Sequence, residues 1–236
     1  MREINIEWEG CHSLDLITWG ITNYPEYKLR LDLDEKRKEY WNTYSKKFPN
    51  DYDGTLLYLY DFKFENERLI LNVGTIKFST VIYMAQNKLA IDKGIGMLGI
   101  QCLIFSPKKD YILVGERNLA QEYYPGALTT PGGMLEKEDL TTPPNVSLMR
   151  EVFEEAPLNY RKDRNLLAIL TGWNEISVTF LLSVVMDDSV GFNYKKMVDS
   201  DKIEWNNDLW WFSIHKLKEE PTENILDGMI YYRSKI

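Results

Sequence analysis

Apolar and aromatic positions along the chain fall into helical and strand-like periods. From Asp34, the segment DEKRKEYWNTYSKKF sets Tyr40, Tyr44 and Phe48 on one side of a charged stretch, which predicts a helix. DYDG at 51–54 reads as a turn. The runs TLLYLYDFKF and RLILNVGTIKF, parted by ENE, predict a strand pair or hairpin. The segment 79–87 is apolar throughout and fits a helix or a strand. Charge and glycine gather in NKLAIDKGIG at 87–96, which suggests a strand-rich N-terminal region at 1–90 and a larger domain at 91–236. Within the latter, MLGIQCLIF and YILVGER predict two strands joined by SPKKD. An irregular stretch broken by prolines, 118–145, leads to a helix at 146–156. LLAILTGW and SVTFLLSVVM give a second strand pair, and LWWFSI a final strand. Strands framing a helix through mixed connections predict an α/β or α+β sandwich.

Composition narrows the function classes. The 236 residues are 44% hydrophobic and 27% charged, which suits an ordinary globular protein with one large domain or two modest ones. No apolar run reaches the roughly 18 residues of a membrane span. The first residues, MREINIEWEGC, carry acids where a signal peptide is apolar, so the expected compartment is the cytoplasm. Two cysteines, Cys11 and Cys102, without a CxxC pair, argue against a disulfide framework or a zinc site. His12 and His215 are isolated. The net charge of −8 opposes a general nucleic-acid surface. A small phosphorylated ligand remains compatible, because a bound divalent cation reverses the local sign.

The chemistry concentrates between Gly132 and Leu158. On a helix, Glu151, Glu154 and Glu155 stand at i, i+3 and i+4 and share one face. Three carboxylates so placed repel one another unless a cation bridges them, and hard oxygen donors suit Mg²⁺ or Mn²⁺. Arg150 stands beside them and can neutralise or orient them. A solvated acidic face is the plain alternative. Upstream, Gly132 and Gly133 follow Pro131 and permit the close backbone approach that a diphosphate-holding loop needs, although a simple turn also fits.

Together these residues resemble the Nudix box, whose pattern is Gly, five residues, Glu, seven residues, then Arg-Glu-apolar-x-Glu-Glu-x-Gly-apolar. Gly133 matches the first glycine, and Arg150, Glu151, Val152, Glu154, Glu155 and Leu158 match the later segment. LVGERN and YYPGALTTPGG are similar to the run that commonly precedes the box. This chain departs at three places: Asp139 stands for the first Glu, the spacer 140–149 is three residues longer, and Pro157 replaces the late glycine. The resemblance spans roughly 95–215 and implies a Nudix-type α/β/α sandwich with a mixed sheet. By it, Glu151, Glu154 and Glu155 bind Mg²⁺ or Mn²⁺ and Arg150 holds the helix geometry. The segment from Tyr52 to Thr80 is similar to the strand-rich N-terminal extension of the UDP-sugar pyrophosphatase-like subgroup.

The resemblance also implies a base to activate water. Glu204, with Asp201, lies in the acidic loop where relatives carry it; Glu136 and Glu155 compete for the role, and a solvated loop is the alternative. Arg117 closes a strand directed at the glycine loop and could hold a phosphate bidentately or form a surface salt bridge. Trp173, Tyr123 and Tyr124 suit base stacking or core packing. An isomerase branch of the same fold uses a cysteine, but Cys102 sits mid-strand, where a buried apolar role is expected. The expected activity is hydrolysis of the diphosphate in a small-molecule nucleotide, UDP-sugars first and ADP-ribose second, with no nucleic-acid or membrane partner and a homodimer open. The alternative is a degenerate Nudix domain that binds a nucleotide without turnover.

Overall fold

The computed structural model describes residues 4–21, 25–49, 51–119, 124–172, 176–188, 192–193, 195, 198 and 205–236. Among these, eleven strands join one mixed sheet organised on β5 (Gly96–Phe105). Along one edge β5 pairs in parallel with β10 (Ser177–Met186) over the whole register from Met97↔Ser177 to Phe105↔Val185. Its other edge is shared by three antiparallel partners in turn. These are β3 (Thr55–Glu65) at Met97, β8 (Gly132–Met134) at Gly99 to Gln101, and β6 (Tyr111–Glu116) at Phe105. Such division explains why MLGIQCLIF reads as an unbroken apolar run: both faces of β5 are covered. Leu98, Ile100, Cys102 and Ile104 enter one core cluster, and Leu103 and Phe105 the cluster on the opposite face.

The sheet does not stop at residue 90. β3 forms the expected hairpin with β4 (Arg68–Lys77), and β2 (Ile17–Trp19) pairs with β4 in parallel. At the far edge, β1 (Asn5–Ser13) pairs with β9 (Tyr160–Gly172), the antiparallel neighbour of β10. Leu57, Leu59, Leu69 and Leu71 from the N-terminal strands therefore share a core cluster with the later strands.

Helices cover both faces. α3 (Pro144–Glu155) packs Leu148, Met149 and Val152 onto the first cluster. α4 (Ile214–Leu217) and α5 (Asp227–Arg233) cover the opposite face with Leu217, Met229 and Tyr231. A third cluster, with Tyr58, Val81 and Met84, lies under α2 (Phe78–Gln86), which packs on α1 (Leu31–Lys47). The segment that fitted helix or strand is thus helical. Residues 79–85 of α2 are all buried, so no polar face marks its period, and packing overrides the β-branched Thr80, Val81 and Ile82. Among the described residues, no helix is long and apolar enough to cross a membrane.

α3 begins two residues before the expected 146, because Pro144 fits its first turn, where a missing N–H costs nothing. It ends at Glu155, with Ala156 as its C-cap before Pro157. Leu148 is fully buried at the heart of this contact, so Leu148→Ala should cost about 3 kcal/mol. Urea unfolding should show that loss as a lower midpoint at unchanged slope.

Candidate active site

An ion pair ties the turn after the glycine loop to α3. Arg150 Nε donates to Asp139 Oδ1 at 3.0 Å, and Nη2 donates to Oδ2 at 2.9 Å. Asp139 is buried, with its side chain only 6% exposed, and Asp139 Oδ2 also accepts the Glu136 N–H at 2.8 Å. Its carbonyl accepts the Ser147 hydroxyl at 2.8 Å from the first turns of α3. The residue standing for the box glutamate is therefore the anchor of the arginine. Sequence reading placed residues 140–145 of the long spacer in an irregular stretch and only 146–149 in the helix. Instead, 140–141 close the 3₁₀ turn Lys137–Thr141 and 144–149 form the first half of α3, so most of the extra length is ordered structure.

Arg150 carries two further carboxylates. Nη1 meets Glu154 at 3.1 Å, and Nη2 pairs closely with Glu151. Glu155 turns the other way, its Oε2 accepting the Gly132 N–H at 2.7 Å. That N–H holds a carboxylate, where sequence analysis assigned Gly132 to substrate. At Gly133 a Cβ would stand 2.2 Å from Glu151 Oε2 and would push that carboxylate aside. At Gly132 a Cβ would fall 2.1 Å from the Ile100 carbonyl oxygen of β5. Close approach to the β5 backbone thus explains Gly132.

Burial is the main influence on Glu151. It raises the carboxyl to about 7, with the negative Glu154 and Asp139 adding to the rise and Arg150 opposing it. Burial also lifts Glu136 above the ordinary carboxylate range. Among the described residues, no three His, Cys, Asp or Glu side chains are gathered closely enough to hold a metal ion as they stand. Arg150 and the Gly132 N–H occupy oxygens of Glu151, Glu154 and Glu155.

These groups border a cleft of about 870 Å³. Glu136, Glu151, Glu154 and Glu155 line it, as do Gly132 and Gly133. Arg117 lines it too, and its backbone is fixed by bonding with Ala127 and Gly126. Tyr124 borders the cleft, whereas Cys102 is fully buried, with its thiol pushed upward by burial. Glu204, Asp201, Trp173 and Tyr123 lie outside the described residues. Sequence reading gave no individual cleft role to Lys47, Phe48 and Tyr52, which supply a wall from the N-terminal region, or to Thr130, Trp205 and Asp227. No short motif marks them; only the fold brings them to the cleft.

No family model matches the chain, and no curated protein matches it. Among solved structures, it is similar to the MutT protein of Methanosarcina mazei at 15% identity and TM-score 0.40, covering 61% of this chain and 92% of that one. It is similar to a Nudix hydrolase of Nitrosomonas europaea at 19% identity and TM-score 0.42, over 59% and 86% of the two chains. A third likeness is to a bifunctional NMN adenylyltransferase/ADP-ribose pyrophosphatase of Francisella tularensis, solved with AMP and a manganese ion. There the identity is 15% and the TM-score 0.46, over 66% of this chain and 46% of that one.

Two outcomes follow from the ion-pair network. Arg150→Ala leaves the Asp139 carboxylate buried and unpaired, which should cost about 3 kcal/mol in chemical denaturation. Adding Asp139→Ala should recover part of that loss, giving a coupling clearly above zero. The second outcome concerns pH. Because the folded-state Glu151 pKa lies above its unfolded value, its contribution is fully present below about 4.5 and is lost as pH rises through about 7. In EDTA, Glu151→Gln should therefore melt above the parent at pH 8, with the gap closing at pH 5.

Proposed function

We propose that this chain is a Nudix-type hydrolase that uses a divalent cation to cleave the diphosphate of a nucleoside diphosphate joined to a second group. The observation that carries the reading is the pairing of Asp139 with Arg150 across the long spacer, which presents three α3 carboxylates to the cleft. A merely solvated acidic helix has no use for a buried aspartate that fixes its arginine.

The donor chemistry suits a hard cation once the carboxylates part from Arg150 and the Gly132 N–H to gather on it. The donors are carboxylate oxygens alone, and the half-sunken Glu151 carries a desolvation cost that a nearby positive charge would offset. Glu151, Glu154 and Glu155 would hold Mg²⁺ or Mn²⁺. When bound, such an ion neutralises charge on the phosphoryl oxygens and makes water more acidic. The chain supplies the rest. Arg150 keeps Glu151 and Glu154 on one side of α3, and the Gly132 N–H holds Glu155 against β8. Glu136 and Glu155 border the cleft as the candidates, among the described residues, to take a proton from attacking water. Arg117 is the basic residue we assign to a phosphate.

For the substrate we put UDP-sugars first and ADP-ribose second. Support comes from the N-terminal resemblance and from Lys47, Phe48 and Tyr52, by which the same region walls the cleft. A second reading, nucleotide binding without turnover, is favoured by the engagement of these carboxylates with Arg150 and Gly132 and by Pro157 after α3.

A panel of UDP-glucose, UDP-galactose, ADP-ribose, a dinucleoside polyphosphate and NADH, assayed with magnesium, tests both. The parent should cleave a UDP-sugar fastest, lose activity in EDTA and regain it with Mg²⁺ or Mn²⁺. Glu151→Gln and Glu154→Gln should each lose at least about a hundredfold in kcat, the order seen when one preorganised charge is removed from a reacting site. Metal-dependent turnover at the parent rate in both variants would sink the assignment. If nothing is cleaved while one compound raises the melting temperature, the binding reading replaces it.

A further inference from the structure

At the inner end of the cleft, two buried side chains have polar atoms that meet no partner. Thr130 is 2% exposed and Trp205 3% exposed, and both border the cleft. The Thr130 hydroxyl and the Trp205 Nε1–H have no hydrogen-bond partner. An indole N–H can only donate, and leaving it buried and unused costs stability. Nearly all buried polar atoms in folded proteins are paired, so two orphans at one pocket point to a ligand.

The fold brings these residues together from separate strands. Gly115 of β6 pairs with Thr129, in β7 (Leu128–Thr129), immediately before Thr130. The Trp205 ring fills the space over Gly115, where a Cβ would stand 2.1 Å from the indole. Leu128 bridges Ile225, and the Gly228 N–H donates to Gln101 Oε1 at 2.8 Å, which sets Asp227 at the same end. Asp227 is 9% exposed and also lines the cleft.

The two side chains offer a donor, Trp205 Nε1–H, and a hydroxyl that both donates and accepts, an uncharged set suited to an uncharged group bearing oxygens. We infer that Trp205 and Thr130 form a specificity subsite for the neutral half of the substrate, through nucleobase carbonyls or sugar hydroxyls. This rests on the diphosphate-hydrolase reading for the orientation of the ligand.

The test is calorimetric titration of UMP, AMP and glucose 1-phosphate, with magnesium, into the parent, Trp205→Phe and Thr130→Val. Each variant removes the polar atom and keeps most of the volume. The parent should bind at least one probe, and each variant should bind it about tenfold more weakly while melting, without ligand, no lower than the parent. Loss confined to UMP or AMP assigns the subsite to the nucleoside; loss confined to glucose 1-phosphate assigns it to the sugar. If Trp205→Phe unfolds, Thr130→Val alone decides. Parent-like affinity in the folded variants, or no binding of any probe by the parent, overturns the subsite. Failure of the hydrolase reading is read separately, as absence of turnover on the diphosphate panel while UMP, AMP or glucose 1-phosphate still binds.

Discussion

The molecule depends on the divided edge of β5. One strand cannot keep the same antiparallel neighbour along its length here, because β3, β8 and β6 take successive stretches of it. β8 is only three residues long, yet it carries the glycine pair into the middle of the sheet. The cleft reaches this region, with Met97, Gly99, Ile100 and Gln101 of β5 in its lining. The backbone of the sheet thus positions Gly132 and Gly133, and they in turn position Glu155 and Glu151.

A second constraint follows from the first. With β8 fixed by β5, the 3₁₀ turn Lys137–Thr141 must deliver Asp139 to Arg150. Trp19 reaches in from β2, its Nε1 donating to the Thr142 carbonyl at 2.8 Å, so an N-terminal strand holds the connection as well. Removing the first 90 residues would therefore strip the core of Leu57, Leu59, Leu69 and Leu71 and release this loop. Point changes at Tyr52 or Lys47 probe the cleft wall without that damage.

Much of this was legible in the sequence where local pattern and tertiary environment agree. The β3–β4 hairpin, β5, β6, β9 and β10 announce themselves as apolar runs between turn residues, and the shared face of the α3 acids follows from helical spacing. The first two strands, β1 and β2, were not legible. β1 is largely exposed and irregular in register, and β2 has only three residues. Trp205 and Thr130 were invisible for another reason: their significance lies in unpaired polar atoms, a property of three-dimensional packing alone. Asp139 falls between, recognisable by position in the box but known as a buried anchor only from its surroundings.

The parallel contact between β5 and β10 has a kinetic meaning. Met97 meets Ser177 across 80 residues of chain, so this pairing closes a long loop before it gains any stability. During synthesis, β5 emerges with that edge open while β10 is still unmade. An apolar strand with unsatisfied N–H and C=O groups is a template for wrong pairing. The same strand that organises the cleft is thus the segment most exposed to aggregation during folding, and its protection waits on the last third of the chain.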